Sequence, residues 1–232
     1  MTILALDTSG TTASTALMNE YIVMAESSVA LNSRSEGRYL HGSVTKPVSG
    51  PSASETLMPM INGLFEVTGT KLQDIEYIAC TCGPGSFTGL RIGAATAKGL
   101  AFALGKPLIA VPTLDALAYT VESADVNWVV PMIDARRGQA YSAFYYKGER
   151  MTDYMAEPME DLHKMIEDRA KGESIIFQTP PIMASAVGAK ALTMIDRAAN
   201  ESEFSLLYVR KPQAEREREE KLKKNENLHS TS

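Results

Sequence analysis

Cysteine is almost missing from this chain: among 232 residues there are two, Cys80 and Cys82. Two thiols build no disulfide framework. Their spacing along a strand-like run puts both on one face, too close for ordinary disulfide geometry, so they read as plain buried thiols. Histidine is scarce too. His41, His163 and His229 are scattered, and no pair has the i, i+4 spacing that lets two imidazoles share one ion. No Gly-x-Ser-x-Gly elbow is present, and no serine has a base paired with it in the sequence, so covalent catalysis has no candidate. Positive charge is in deficit: 23 Lys and Arg stand against 28 Asp and Glu, a net charge of −5. No global basic field would hold nucleic acid by its phosphates. No apolar run approaches the ~18 residues that suggest a membrane span, and the start lacks the pattern of a secretory signal. The expectation is a cytoplasmic protein with no membrane contact.

What the chain does have is apolar bulk: 44% of its residues are hydrophobic, enough for one large core or two small ones. Its most informative stretch is Gly83-Pro84-Gly85-Ser86-Phe87-Thr88-Gly89-Leu90-Arg91. A strand-like run over 75–82 enters it and a helical pattern over 87–104 leaves it. Such a turn leaves backbone N–H groups unpaired at the helix start, where anions bind and glycine permits close approach. Ser86 or Thr88 can cap the helix. The spacing is neither that of a dinucleotide fingerprint nor that of a Walker A loop. Arg91, one turn into the helix, is placed where a cation is mildly unfavourable, by about 0.3–1 kcal/mol. It is expected to reach a carboxylate or a phosphate.

The chain reads as mixed α/β. Strands are expected over 3–6, 14–18, 22–26, 75–82 and 108–110, with helices over 55–68, 87–104 and 114–121. The second half repeats the opening: strands over 128–133, 140–146 and 151–155, a helix over 158–169, a strand over 174–177 and a helix over 184–198. Each half opens on an apolar strand ending in aspartate at a polar turn: Asp7 with Thr8 and Ser9, then Asp134. Self-similarity at long period points to a duplicated domain. The expected division is a first lobe over 1–106, including a long flexible loop over 32–54, a second lobe over 107–211, and a charged tail over 212–232. Each aspartate suits either a role at a ligand or an Asx-type turn.

Gly83 to Gly93 resembles the signature of the TsaB (YeaZ) family, the non-catalytic partner in bacterial tRNA threonylcarbamoyladenosine synthesis. Ile3–Ser9, Glu55–Ile61, Ile133–Arg137 and Tyr208–Glu215 resemble that family's other landmarks, in order. The resemblance implies duplicated actin-like ATPase (ribonuclease-H-like) lobes, the second shortened. It implies an accessory subunit without catalytic residues or cofactor. That subunit pairs with TsaD, joins TsaE in the assembled complex, and meets tRNA only through the complex. ATP and metal belong to TsaD. Thr113 and Leu117 stand where TsaD carries its metal-binding histidine pair. The family's Gly-Asp-Gly turn is replaced here by Gln178-Thr179-Pro180-Pro181, and Ala53 stands where histidine is usual.

The same resemblance implies a partner surface, also used for homodimers, on the first lobe's two helices. On helix 55–68 the candidates are Leu57, Met58, Ile61, Leu64 and Phe65. On helix 87–104 they are Ala95, Lys98 and Phe102, with Ile92, Thr96 and Gly99 turned toward the core. The other reading is a stand-alone actin-like ATPase or kinase. It would hold phosphates on the Gly83–Gly89 loop and the Asp7 turn.

Overall fold

The first strand, β1 (Thr2–Asp7), is apolar from Ile3 to Leu6 because both of its faces are covered there. Ile3 and Ala5 lie in one core, Leu4 and Leu6 in another. The computed structural model describes residues 1–31, 50–121 and 125–210. β1 pairs antiparallel with β2 (Thr12–Asn19), which pairs antiparallel with β3 (Val23–Ala30). The side chain of Asn19 shapes the connecting turn by accepting from the backbone N–H groups of Tyr21 (2.8 Å) and Ile22 (2.9 Å). On its other edge β1 runs parallel to β4 (Tyr77–Gly83), and β4 parallel to β5 (Leu108–Pro112). The sheet order is β3-β2-β1-β4-β5. The first sheet therefore runs past the expected boundary at 106, because β5 completes it.

Helices α1 (Ala53–Thr68) and α2 (Phe87–Leu104) cover one face of this sheet. At the start of α1 the Glu55 carboxylate accepts from the Ser52 backbone N–H (2.8 Å) and hydroxyl (2.6 Å). Both helices end on left-handed glycines, Gly69 and Gly105.

The second lobe repeats this plan. β6 (Trp128–Asp134) is flanked on one edge by β7 (Gln139–Ser142) and β8 (Tyr145–Tyr146), both antiparallel. β11 (Ile175–Gln178) runs parallel on its other edge. β9 (Glu149–Arg150) and β10 (Met155–Pro158) lie outside β8 and β7. β7 and β8 form one ladder interrupted at Ala143-Phe144. There Phe144 is fully buried and its N–H donates to Thr152 Oγ1 (3.0 Å). The expected single strand over 140–146 is thus two, and the expected strand over 151–155 is not formed: residues 151–154 connect β9 to β10, and only Met155 lies in a strand. α4 (Met159–Ala170) sits between the third and fourth strands, as α1 does, on its own small core. β6 thus occupies the place of β1, and both end in aspartate. This is the duplicated actin-like arrangement. Among the described residues the second sheet has no counterpart of β5.

Two helices lie between the sheets: α3 (Thr113–Tyr119) and α5 (Ala184–Leu192). The largest core joins Ile3, Ala5 and Met18 of the first sheet to Leu114 and Leu117 of α3, Val129 and Ile133 of the second sheet, and Val187 of α5. Gly188 lets α5 lie on the first sheet: a Cβ there would run into Met18 Sδ. Glu26 on β3 holds the start of α5, accepting from Ser185 N (2.7 Å) and Oγ (3.0 Å). α5 ends earlier than expected, at Leu192. Thr193 Oγ1 donates back to the Lys190 carbonyl (2.8 Å), and the chain turns so that Ala199 bridges to Leu108 on the β5 edge. Of the expected flexible loop, residues 32–49 lie outside the described residues, and Ala53 and Ser54 already belong to α1. The charged tail over 212–232 lies outside them as well.

Candidate functional site

The turn after β1 and the glycine loop after β4 are brought together at the same end of the first sheet. Asp7 is buried there. Its Oδ1 accepts from Ser9 N (3.1 Å) and from Thr81 Oγ1 (2.8 Å). Thr8 Oγ1 donates to the Gly89 carbonyl (2.8 Å). Ser86 N donates to the Ser9 carbonyl (2.7 Å). Ser86 is also the N-cap of α2, its Oγ accepting from Gly89 N (3.3 Å). Two of the donors that would face an anion at this helix start are therefore engaged within the chain.

The glycines serve the same closure. A Cβ at Gly85 would meet the Ser9 carbonyl oxygen, one at Gly89 the Thr8 carbonyl oxygen, and one at Gly93 the Thr8 hydroxyl. Gly83 has φ +114, and a Cβ there would lie 2.6 Å from the Leu207 carbonyl oxygen. Glycine is required here because backbone packs on backbone.

The segment over 199–210 forms the outer layer of the site. It returns from the second lobe to the first as a strap. Leu207 N donates to the Cys82 carbonyl (2.7 Å), and Lys98 Nζ donates to the Phe204 carbonyl (3.3 Å). Phe204 is buried, and Leu206 and Leu207 pack on the same outer core. Tyr208 then meets Phe87 at 6.0 Å between ring centroids. Arg210 Nη2 donates to Gln139 Oε1 (2.5 Å) and to the Ala156 carbonyl (3.0 Å) in the second lobe.

Burial pushes the Asp7 carboxyl above the usual carboxylate range, and hydrogen bonds from Ser9 and Thr81 pull it part of the way back. A raised folded-state pKa means that the native state holds its proton to higher pH than the unfolded chain. This contribution to stability is present below pH 3.8 and is lost as pH rises from there through the folded value. At neutral pH the buried charge therefore costs stability. Asp7→Asn keeps an oxygen for both donors and removes the charge. Its melting temperature at pH 7 is expected to rise, by about 2–4 °C for each kcal/mol recovered, and the advantage over the parent is expected to shrink as pH falls through the raised folded value toward 3.8. A lower melting temperature for Asp7→Asn at pH 7 would contradict this.

The other expected residues are less closely gathered. Asp134 is exposed, and its Oδ1 accepts from Arg136 N (2.7 Å) in an Asx-type turn. Arg136 and Arg137 both have positive φ, 67° and 58°. Arg91 reaches no carboxylate among the described residues. Its guanidinium lies over the Phe87 ring, 3.7 Å from the centroid, one helical turn back. Cys80 and Cys82 are buried free thiols. Burial drives Cys80 well above its ordinary value and pushes Cys82 up to about 12. Thr113 and Leu117 are fully buried between the sheets.

The expected partner surface needs correction. Ile61 and Leu64 are buried in the outer core, and Leu57 on the same side of α1 is buried too. Phe65 is half-buried against the same core, and Lys98 is tied to the strap. Met58, Ala95 and Phe102 are exposed, Phe102 at 76%. Val67, 82% exposed, lies on the outer side of α1. The core stripe of α2 is Leu90, Gly93, Ala94, Ala97 and Ala101, not Ile92, Thr96 and Gly99.

One cluster was not foreseen. Tyr145 and Tyr154 both donate to Asp115 Oδ1, Tyr154 at 2.8 Å, tying α3 to the second lobe. Burial first, and the neighbouring carboxylate second, raise both phenols. The three residues are far apart in sequence, and no local pattern marks them.

The family model described as "TsaD: tRNA N6-adenosine threonylcarbamoyltransferase" matches residues 46–211. The tRNA threonylcarbamoyladenosine biosynthesis protein TsaB of Bacillus subtilis (strain 168) is 37% identical over 145 residues, 62% of this chain and 55% of that protein. The Escherichia coli (strain K12) protein of the same name is 39% identical over 97 residues, 41% of this chain and 42% of that protein. These matches span about half the length of each of these two curated relatives. Among solved structures, YeaZ from Pseudomonas aeruginosa has a TM-score of 0.68 at 23% identity, covering 89% of this chain and 99% of that one.

Proposed function

The chain belongs to the family of that model, on its TsaB (YeaZ) side, and from this premise we propose that it is an accessory subunit of tRNA threonylcarbamoyladenosine synthesis. In this reading it binds TsaD and supports transfer of the threonylcarbamoyl group from threonylcarbamoyl-AMP to the adenosine next to the anticodon. TsaD supplies the ATP and metal chemistry, TsaE joins the assembled complex, and the isolated chain pairs with itself through the surface it offers TsaD.

One observation carries the reading beyond family membership. The first lobe leaves large apolar side chains uncovered on its two outer helices, while its glycine loop is closed onto the chain's own backbone. Met58 and Val67 on α1 and Phe102 on α2 are exposed, and Gly99 has nothing within 4 Å of its Cβ position. That surface suits a close helix–helix contact. The closed loop is a poor phosphate cradle, which counts against the stand-alone ATPase reading.

The test is capture of TsaD by the tagged chain, run beside ATP turnover by each protein alone. Capture is expected, together with tRNA modification only when both proteins are present. A folded chain that fails to capture TsaD yet hydrolyses ATP unaided would overturn the reading in favour of the ATPase.

A further inference from the structure

The strap carries aromatic and cationic groups from the start of α2 in the first lobe to β7 and β10 in the second. At one end the Arg91 guanidinium lies over Phe87, and Phe87 meets Tyr208. Phe87 and Tyr208 are 43% and 44% exposed. Two residues further along the strap, Arg210 is held by Gln139 and the Ala156 carbonyl. Gln139 N in turn donates to the Arg136 carbonyl (3.2 Å), closing the turn that presents Arg136 and Arg137 to solvent. None of these four arginines is ion-paired among the described residues.

We infer that this stripe of Arg91, Phe87, Tyr208, Arg210, Arg136 and Arg137 is a contact surface for unpaired RNA, a looped segment of the nucleic acid on which the proposed complex acts. The inference rests on the proposed function for its choice of RNA, and on the stripe for its geometry. Unpaired bases stack on aromatic rings and on guanidinium planes, and arginines beside them meet the phosphates. Carboxylates flank the stripe: Asp134 in the same turn, Glu157 on β10 beside β7, and Glu160 next to Met159, whose N–H donates to the Gly138 carbonyl. They oppose a long run of phosphates. The surface therefore suits a short unpaired stretch held by stacking, and it disfavours a duplex read through its backbone. It also reconciles a chain of net charge −5 with a direct RNA contact, since the contact is local.

The test is fluorescence anisotropy of a labelled stem–loop RNA with the full-length chain at about 50 and about 200 mM salt, beside a fully paired duplex of equal length. The stem–loop is expected to bind, and the duplex to bind more weakly. Tyr208→Ala is expected to weaken stem–loop binding about tenfold while Tyr208→Phe leaves it in place. Arg136→Glu with Arg137→Glu is expected to weaken binding and to lower the salt slope by about one to two. Melting curves establish that each variant is folded. No stem–loop binding by the parent chain, or equal binding by folded Tyr208→Ala, would overturn the inference. If TsaD capture persists in that case, the proposed function stands and only the RNA surface falls. If the variants lose TsaD and keep RNA, the stripe is a protein interface and the inference is wrong.

Discussion

Gly89→Ala lowers the melting temperature by about 10 °C or leaves the chain unfolded, against the ordinary preference of helices. Inside a helix alanine is favoured over glycine by about 1 kcal/mol. At Gly89 the added methyl would enter the Thr8 carbonyl oxygen. Thr8 cannot move aside easily, because its hydroxyl donates to the Gly89 carbonyl and its neighbour Asp7 is anchored to Thr81. Overpacking typically costs about 1–3 kcal/mol and more where backbone must shift. At about 2–4 °C per kcal/mol for a chain of this size, the upper end gives the expected drop. The control lies ten residues along the same helix. Gly99 has nothing within 4 Å of its Cβ position, so Gly99→Ala is expected to raise stability by up to about 1 kcal/mol. Thermal melts of the two variants side by side decide the matter. Equal and positive shifts would mean that the loop does not pack on the Asp7 turn as described.

The second large effect is on association. Ala95→Glu together with Phe102→Asp places two carboxylates on the outer face of α2, where both native side chains are exposed. Stability should change little, since surface substitutions usually fall within about 0.5 kcal/mol. Capture of TsaD, and self-association followed by sedimentation, should fall more than a hundredfold, because an unpaired charge buried at an interface costs about 3–5 kcal/mol. Binding by the parent chain should depend weakly on salt, since the contact is mostly apolar. A folded double variant that captures TsaD as well as the parent does would place the interface elsewhere. Phe65, an obvious choice on sequence grounds, is a worse probe, because it packs partly on the core and its loss would confound folding with binding.

The fold was readable because its signals are local. An apolar strand ending in Asp-Thr-Ser, and another leading into Gly-Pro-Gly-Ser, each mark a strand and the turn that stops it. The repeat at Asp134 gave the duplication. The division of 140–146 was not readable, because burial of Phe144 breaks the ladder while the sequence keeps an unbroken strand pattern. The end of α5 was missed for a related reason: a bridge to β5 pulls the chain out of a run that is helical by composition. In the site, the glycine loop was marked by its sequence, and what packs on it was not. Glycine signals close approach without saying what approaches, and here it is the backbone of Thr8 and Ser9. On α1 the stripe of Leu57, Ile61 and Leu64 is what periodicity detects first, and it is by that measure the core face. The surface face had to be read from what remained: Met58 and Val67.

The helix between the sheets also fixes an order of events during synthesis. α5 is more than 160 residues downstream of β1 and β2, on which it packs: Val187 shares one core with Ile3 and Ala5. A nascent chain can pair β1 to β5 long before that helix has left the ribosome. Until then one face of the first sheet has only α3 to shelter it. The contacts that complete the first lobe are thus among the longest-range in the molecule, and such contacts form late. For much of translation the growing polypeptide carries a finished sheet with an unfinished interior, the kind of surface that chaperones hold and that neighbouring chains on a polysome can mistake for their own.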